Sequence, residues 1–195
     1  GFFFFFFVSN FTMANTRDKQ IAVFLENELE IDYLTKEEPT RREGRRLLQK
    51  TLYYANCIFL ARYGAPLVSC LATVEKDGPV FHDLHSFLES AEHSNFVCEM
   101  DPITRNSLSV IAQHCKVIGF RRLGAQTHLS PLWKGKNQGD LYDCDEIMEQ
   151  FPSTEFEKEM FETLVDEMDE KDEKLTEWAK NDGYHSIPWE NLVFT

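Results

Sequence analysis

The chain has 195 residues, of which 43% are hydrophobic and 27% charged. That size and balance fit a soluble globular protein of one domain plus an appendage, and exclude disordered and collagenous chains. The net charge of −13 disfavours direct nucleic-acid binding and favours basic partners.

In chain order, "GFFFFFFVSNFT" comes first. Its apolar run, Phe2–Val8, falls far short of the ~20 residues that span a membrane. It also lacks the basic flank and small-residue cleavage site of a secretory signal. Residues 1–12 are therefore expected to be a non-native or upstream segment, with Met13 as the natural start. No membrane association is expected.

Thr16 to Ile31 sets Ile21, Phe24, Leu25 and Leu29 on one helical stripe. A polar linker containing Pro39 follows, and Thr40 is placed to cap the next helix. That helix, about Arg41 to Arg62, carries Leu48, Leu52, Ala55 and Phe59 on one face, widened by Tyr54, Ile58 and Ala61. It is expected to be central and largely buried, and Gly64 and Pro66 end it.

Leu67 to Glu75, rich in Val, Leu and Thr, reads as a single strand or hairpin arm. "KDGPV" turns the chain, and Pro79 suits the first position of a helix with Val80, Leu84, Phe87, Leu88 and Ala91 inward. Asp101 and Pro102 open another helix, whose stripe is Ile103, Ile111, Cys115 and Ile118 before Gly119. A short helix from Leu123 to Leu129 leads into "THLSPLWKGKNQG", read as a loop anchored by Trp133. Asp143 to Phe151 is one more short helix, closed by Pro152.

From Thr154 the pattern changes. Thr154 and Glu157 fit a capping box, and Phe156, Met160, Leu164 and Met168 recur every four residues. Residues 153–195 hold 13 acids and 4 bases, so most of the acidity lies here. The acidic run Asp169–Lys174 interrupts the stripe before Leu175 and Trp178, which leaves one helix or two open. The expected fold class is mainly α: a single globular helical domain (13–152) around a central buried helix, with room for one small β-hairpin. An acidic amphipathic helical extension (153–195) completes it.

Catalytic chemistry is hard to find. His82 and His85 lie at i and i+3, but no third or fourth ligand completes a metal site. His114 and Cys115 are adjacent, so a helix points them apart. The five cysteines are odd in number, widely spaced and without a CxxC pair, as expected of reduced thiols. The basic cluster Arg41, Arg42, Arg45 and Arg46 reads as a solvated helix start. No catalytic, cofactor-binding or metal-ligating residue is assigned.

Five segments in order do carry a likeness. "LLQKTLYYAN" (Leu47–Asn56), "YGAPL" (Tyr63–Leu67), "DGPV" (Asp77–Val80), "LGAQTHLSPLWK" (Leu123–Lys134) and "DEIMEQF" (Asp145–Phe151) resemble successive motifs of the Panacea domain, the SocA-like antitoxin family. The resemblance covers about half the chain. It departs from the family pattern before Gly-Pro-Val, where Glu75 and Asp77 stand in place of an aromatic and a basic residue.

The resemblance implies a non-enzymatic, cytoplasmic protein of bacterial or phage origin. Such a protein would act as an antitoxin, neutralising a cognate toxin by direct binding, without a cofactor. An alternative is a proteolytic adaptor that delivers a client to a AAA+ protease. A third reading, a metal-dependent enzyme, would draw on His82, His85 or His128. Candidate partner-binding residues are Glu75, Asp77, Gly78, Pro79, His128 and Trp133, with Phe156, Met160 and Leu164 on the acidic extension. That last stripe has two readings, a groove on the partner or the domain's own surface.

Overall fold

A computed structural model describes residues 14–181; the expectations for residues 1–12, for Met13 and for the end of the 153–195 extension lie outside the described residues. Helix α1 (Thr16–Glu28) opens with a reciprocal capping box, in which the Asn15 and Asp18 side chains accept each other's backbone N–H. Its buried side includes Ile21, Ala22 and Leu25, with Leu29 just beyond its end; Phe24 is only partly buried.

Helix α2 (Thr40–Tyr63) is buried without interruption from Leu48 to Leu60. A helix covered on all sides needs neighbours all round, and α1, the hairpin and three later helices supply them. The rings of Tyr53 and Tyr54 meet at 5.4 Å, and Tyr53 meets Tyr142 at 5.1 Å. Gly64 ends the helix in the left-handed conformation (φ 68°), its N–H bonded to Leu60 O. Thr40 does not cap: Pro39 already has near-helical backbone angles and stands at the cap position, which makes Thr40 the first helical residue.

Strands β1 (Thr73–Glu75) and β2 (Gly78–Val80) form an antiparallel hairpin, with Val74 opposite Pro79. The expected long strand is therefore three residues, and Pro79 and Val80 are in a strand and not a helix. Gly78 explains the difference. Its φ of 103° leads the chain out of the Lys76–Asp77 turn in a conformation open mainly to glycine. Pro79 is tolerated because β2 is an edge strand in this two-stranded sheet. The other edge of β1 bonds the 137–142 loop: Val74 N–H to Asp140 O (2.8 Å) and Gly139 N–H to Val74 O (2.8 Å).

Helix α3 (His82–Leu88) and a 3₁₀ turn (His93–Asn95) lead to α4 (Pro102–Ile118). As expected, Asp101 accepts from Thr104 N–H (2.8 Å) and Pro102 takes the first turn. The buried face runs through Thr104, Leu108, Ile111 and Cys115; Ile103 is 40% exposed and stands off the predicted stripe. Helix α5 (Phe120–Leu129) starts three residues earlier than expected. The segment read as a loop contains a one-turn helix, α6 (Pro131–Lys134), separated from α5 by the extended residue Ser130. Helix α7 (Cys144–Gln150) is capped by the Asp143 side chain.

Helix α8 (Glu155–Asn181) runs unbroken through the acidic stretch, where Glu167–Lys171 and Glu170–Lys174 pair at i, i+4. The Thr154–Glu157 capping box forms. Met160, Leu164 and Met168 are buried in the core, and α8 packs on α4. Arg62 at the end of α2 pairs with Asp169 (2.5 Å), and Asn106 donates to Asp172 (2.9 Å). The fold is mainly α with one small hairpin, and the described part of the extension contributes Met160, Leu164 and Met168 to its core. Among the described residues, no helix is long and apolar enough to cross a membrane.

Candidate functional site

Of the polar side chains inside the buried stretch of α2, Gln49, Lys50 and Asn56 each hold a later segment of the chain. Gln49 Oε1 accepts from Phe81 N–H at 2.8 Å, fixing the exit of the hairpin. Lys50 Nζ donates to Pro79 O at 3.4 Å. Asn56 Oδ1 accepts from Leu67 N–H (2.9 Å) and Val68 N–H (3.4 Å), pinning the loop after α2. Asp18 on α1 adds a second hold on that loop, accepting from Ser69 N–H (2.8 Å) and Ser69 Oγ–H (2.6 Å). Buried backbone N–H groups need such partners, so these residues give an otherwise irregular stretch a single path.

The hairpin and α5 close over Lys50. A Cβ built on Gly78 would lie 2.6 Å from Lys50 Nζ and 3.1 Å from Thr127 Oγ1, so the glycine leaves the lysine its place. Thr127 is buried and donates back to Gly124 O at 2.7 Å. The next residue, His128, lays its ring on Trp133 with centroids 4.2 Å apart and planes tilted by 34°. Between α2, the hairpin turn and α5 lies an open pocket of about 230 Å³, lined by Arg46, Lys50, Asp77, Arg121, Gly124 and His128 among others.

The pocket's electrostatics follow from burial and from those neighbours. Burial pushes the Lys50 ammonium down to about 8, an effect that the Asp77 carboxylate opposes. Burial, and then the Lys50 charge, hold the His128 imidazole below its ordinary value, which favours its neutral form. Asp77 pairs with Arg46 at 2.5 Å, and Arg121, 84% exposed, reaches Glu43 at 3.6 Å.

Six of the nine candidate residues fall in this neighbourhood. Asp77 and His128 line the pocket, Gly78 and Pro79 lie against Lys50, and Trp133 supports His128. Glu75 braces the hairpin through His82 (2.9 Å) and Gln138 (3.0 Å), bonds that hold its carboxylate below the usual range. The other three do not join them. Phe156 packs on Tyr54 (6.2 Å) beneath Arg122, while Met160 and Leu164 are core residues, which corrects their placement as partner contacts. The residues missed were Arg46, Lys50 and Arg121. Lys50 left a signal, as the one charged residue between Arg46 and Arg62 in a helix expected to be buried.

His82, His85 and His93 are occupied separately. His82 meets Glu75, His85 Nδ1 meets Tyr33 Oη at 2.5 Å, and His93 meets Glu26 at 2.5 Å. Among the described residues, no group of three or more potential metal ligands gathers. Burial pushes the Cys57 thiol well up and Cys115 to about 12, so neither is a ready nucleophile. The arginine run is divided as well: Arg41 and Arg45 reach Glu89, whereas Arg46 turns to Asp77.

No protein-family model, curated protein or solved structure matches this chain. The likeness to the Panacea domain therefore rests on the residues quoted above.

Proposed function

We propose that the chain is a binding protein of the antitoxin type, which neutralises a cognate basic protein toxin by direct contact. One observation carries the reading. Three separated segments of the Panacea likeness meet around Lys50: Gln49 and Lys50 on α2, Gly78 and Pro79 on β2, and Thr127 on α5. Motifs that match a family by accident have no reason to converge on one buried lysine. Their convergence supports kinship, and with it a cytoplasmic, non-enzymatic role.

Charge supports the partner's character. The outer side of α8 exposes Glu159, Glu162, Asp166 and Glu173 above its buried Met-Leu-Met face. Such an array steers a basic partner inward and orients it. The metal-dependent alternative gains no support, because His82 and His85 have separate partners and His128 sits against Trp133.

The test is genetic and direct. Each open reading frame beside the gene is expressed alone and together with this chain, and growth is followed. One neighbour should be toxic alone and harmless with the chain, and the two should co-purify in a fixed ratio. If no neighbour is toxic, or toxicity persists despite good expression of this chain, the reading fails. Recovery of a AAA+ unfoldase with a bound client would identify an adaptor in its place.

A further inference from the structure

We infer that the pocket between α2, the hairpin turn and α5 binds the phosphoryl group of a small ligand. The inference does not depend on toxin neutralisation.

Cations dominate the wall in a protein whose net charge is −13. Arg46, Lys50 and Arg121 face a single lining carboxylate, Asp77, and the His128 imidazole is biased toward its neutral form. Arg121 also reaches Glu43 at 3.6 Å, outside the lining, so charge alone does not select the anion. The three terminal oxygens of a phosphate monoester can take donors from all three cations, where a carboxylate offers two oxygens. The three cations come from two elements, since α2 supplies Arg46 and Lys50 and α5 supplies Arg121. Convergence from different directions suits a tetrahedral anion better than a planar one.

Lys50 is the most telling member. It is only 3% exposed, and the one hydrogen bond it makes is a long one, to the Pro79 carbonyl. An ammonium carries three N–H donors, and burying it without a carboxylate at contact is unfavourable. An anion in the pocket would offset that cost.

Helix α5 reinforces the site. One of its faces, from Phe120 and Arg121 through Gly124 and Ala125 to His128, lines the pocket along the length of the helix. Gly124 keeps that wall low. At about 230 Å³ the pocket is smaller than the roughly 300–1,000 Å³ of drug-sized sites, which fits a phosphate with a compact organic group.

The test is isothermal titration of the full chain at pH 7 and low salt, with inorganic phosphate as probe and acetate as control. Saturable one-to-one phosphate binding is expected, with acetate at least tenfold weaker. Arg121→Ala, on an exposed side chain, should weaken phosphate binding about tenfold, and Lys50→Met by more. Asp77→Asn should tighten it several-fold, because it removes the competing carboxylate. Absence of saturable binding, acetate as tight as phosphate, or an Arg121→Ala protein that binds like the parent overturns the inference. Should Lys50→Met fail to fold, the Arg121 and Asp77 variants decide.

Discussion

Gly78 and Lys50 fit together so closely that a Cβ on the glycine would stand 2.6 Å from the lysine's Nζ. The contact joins the hairpin turn to the middle of the central helix. It also accounts for a glycine where a φ of 103° and a crowded side chain coincide. Gly78→Ala should therefore destabilise the protein by about 1–3 kcal/mol, through backbone strain and displacement of Lys50. Chemical denaturation of Gly78→Ala, Lys50→Ala and the double variant checks this. The steric part should vanish in the double variant, and simple additivity would show that the two residues do not interact.

The buried lysine predicts a pH dependence. Its native value of about 8 lies below the ordinary 10.5, so the unfolded chain holds a proton that the native state releases between them. Stability from this group therefore rises as pH climbs from about 8 to about 10.5, and the penalty is complete below 8. The penalty is on the order of 3 kcal/mol at ~1.4 kcal/mol per pKa unit. Lys50→Met should be at least as stable as the parent at pH 7, with the gap closing across that window. A gap independent of pH between 7.5 and 10.5 would contradict the assignment.

Asn56 makes a prediction of a different kind. Asn56→Ala would leave Leu67 and Val68 N–H groups buried without their acceptor. The expected loss is about 2–3 kcal/mol. Hydrogen exchange should speed up at those two amides in particular; an unchanged rate would show that another group or water takes over.

The two sides of α8 should answer to different assays. Leu164 is fully buried, and Leu164→Ala should cost about 2–5 kcal/mol in thermal or urea unfolding. Glu162→Lys on the exposed side should change stability by less than about 0.5 kcal/mol. If the proposed basic partner docks there, this variant should slow association, most visibly at low salt. A Leu164→Ala protein with parental stability but no partner binding would return the apolar stripe to the interface.

Much of the fold could be read from local sequence. The apolar run of α2, the Asp101–Pro102 start of α4 and the Thr154–Glu157 box each carry their signal within a few residues. The hairpin could not, because Pro79 suits a helix start as well as an edge strand, and the φ of Gly78 leaves no trace in the sequence. The role of Lys50 depends on a carbonyl 29 residues away. For α8, the stripe Met160–Leu164–Met168 has the same spacing whether it covers the domain itself or a partner. Only the position of α4 decides, and α4 ends 37 residues before α8 begins.

The composition shift near residue 152 looks like a place to cut, and the packing of α8 says otherwise. A chain ended there would lose Met160, Leu164 and Met168 from the core and leave an apolar strip of α4 facing water. The truncated protein should be sticky and self-associating. Any fragment designed to isolate the family-like segments therefore needs to keep the acidic helix at least through Asp172, where its side-chain bond to Asn106 is made.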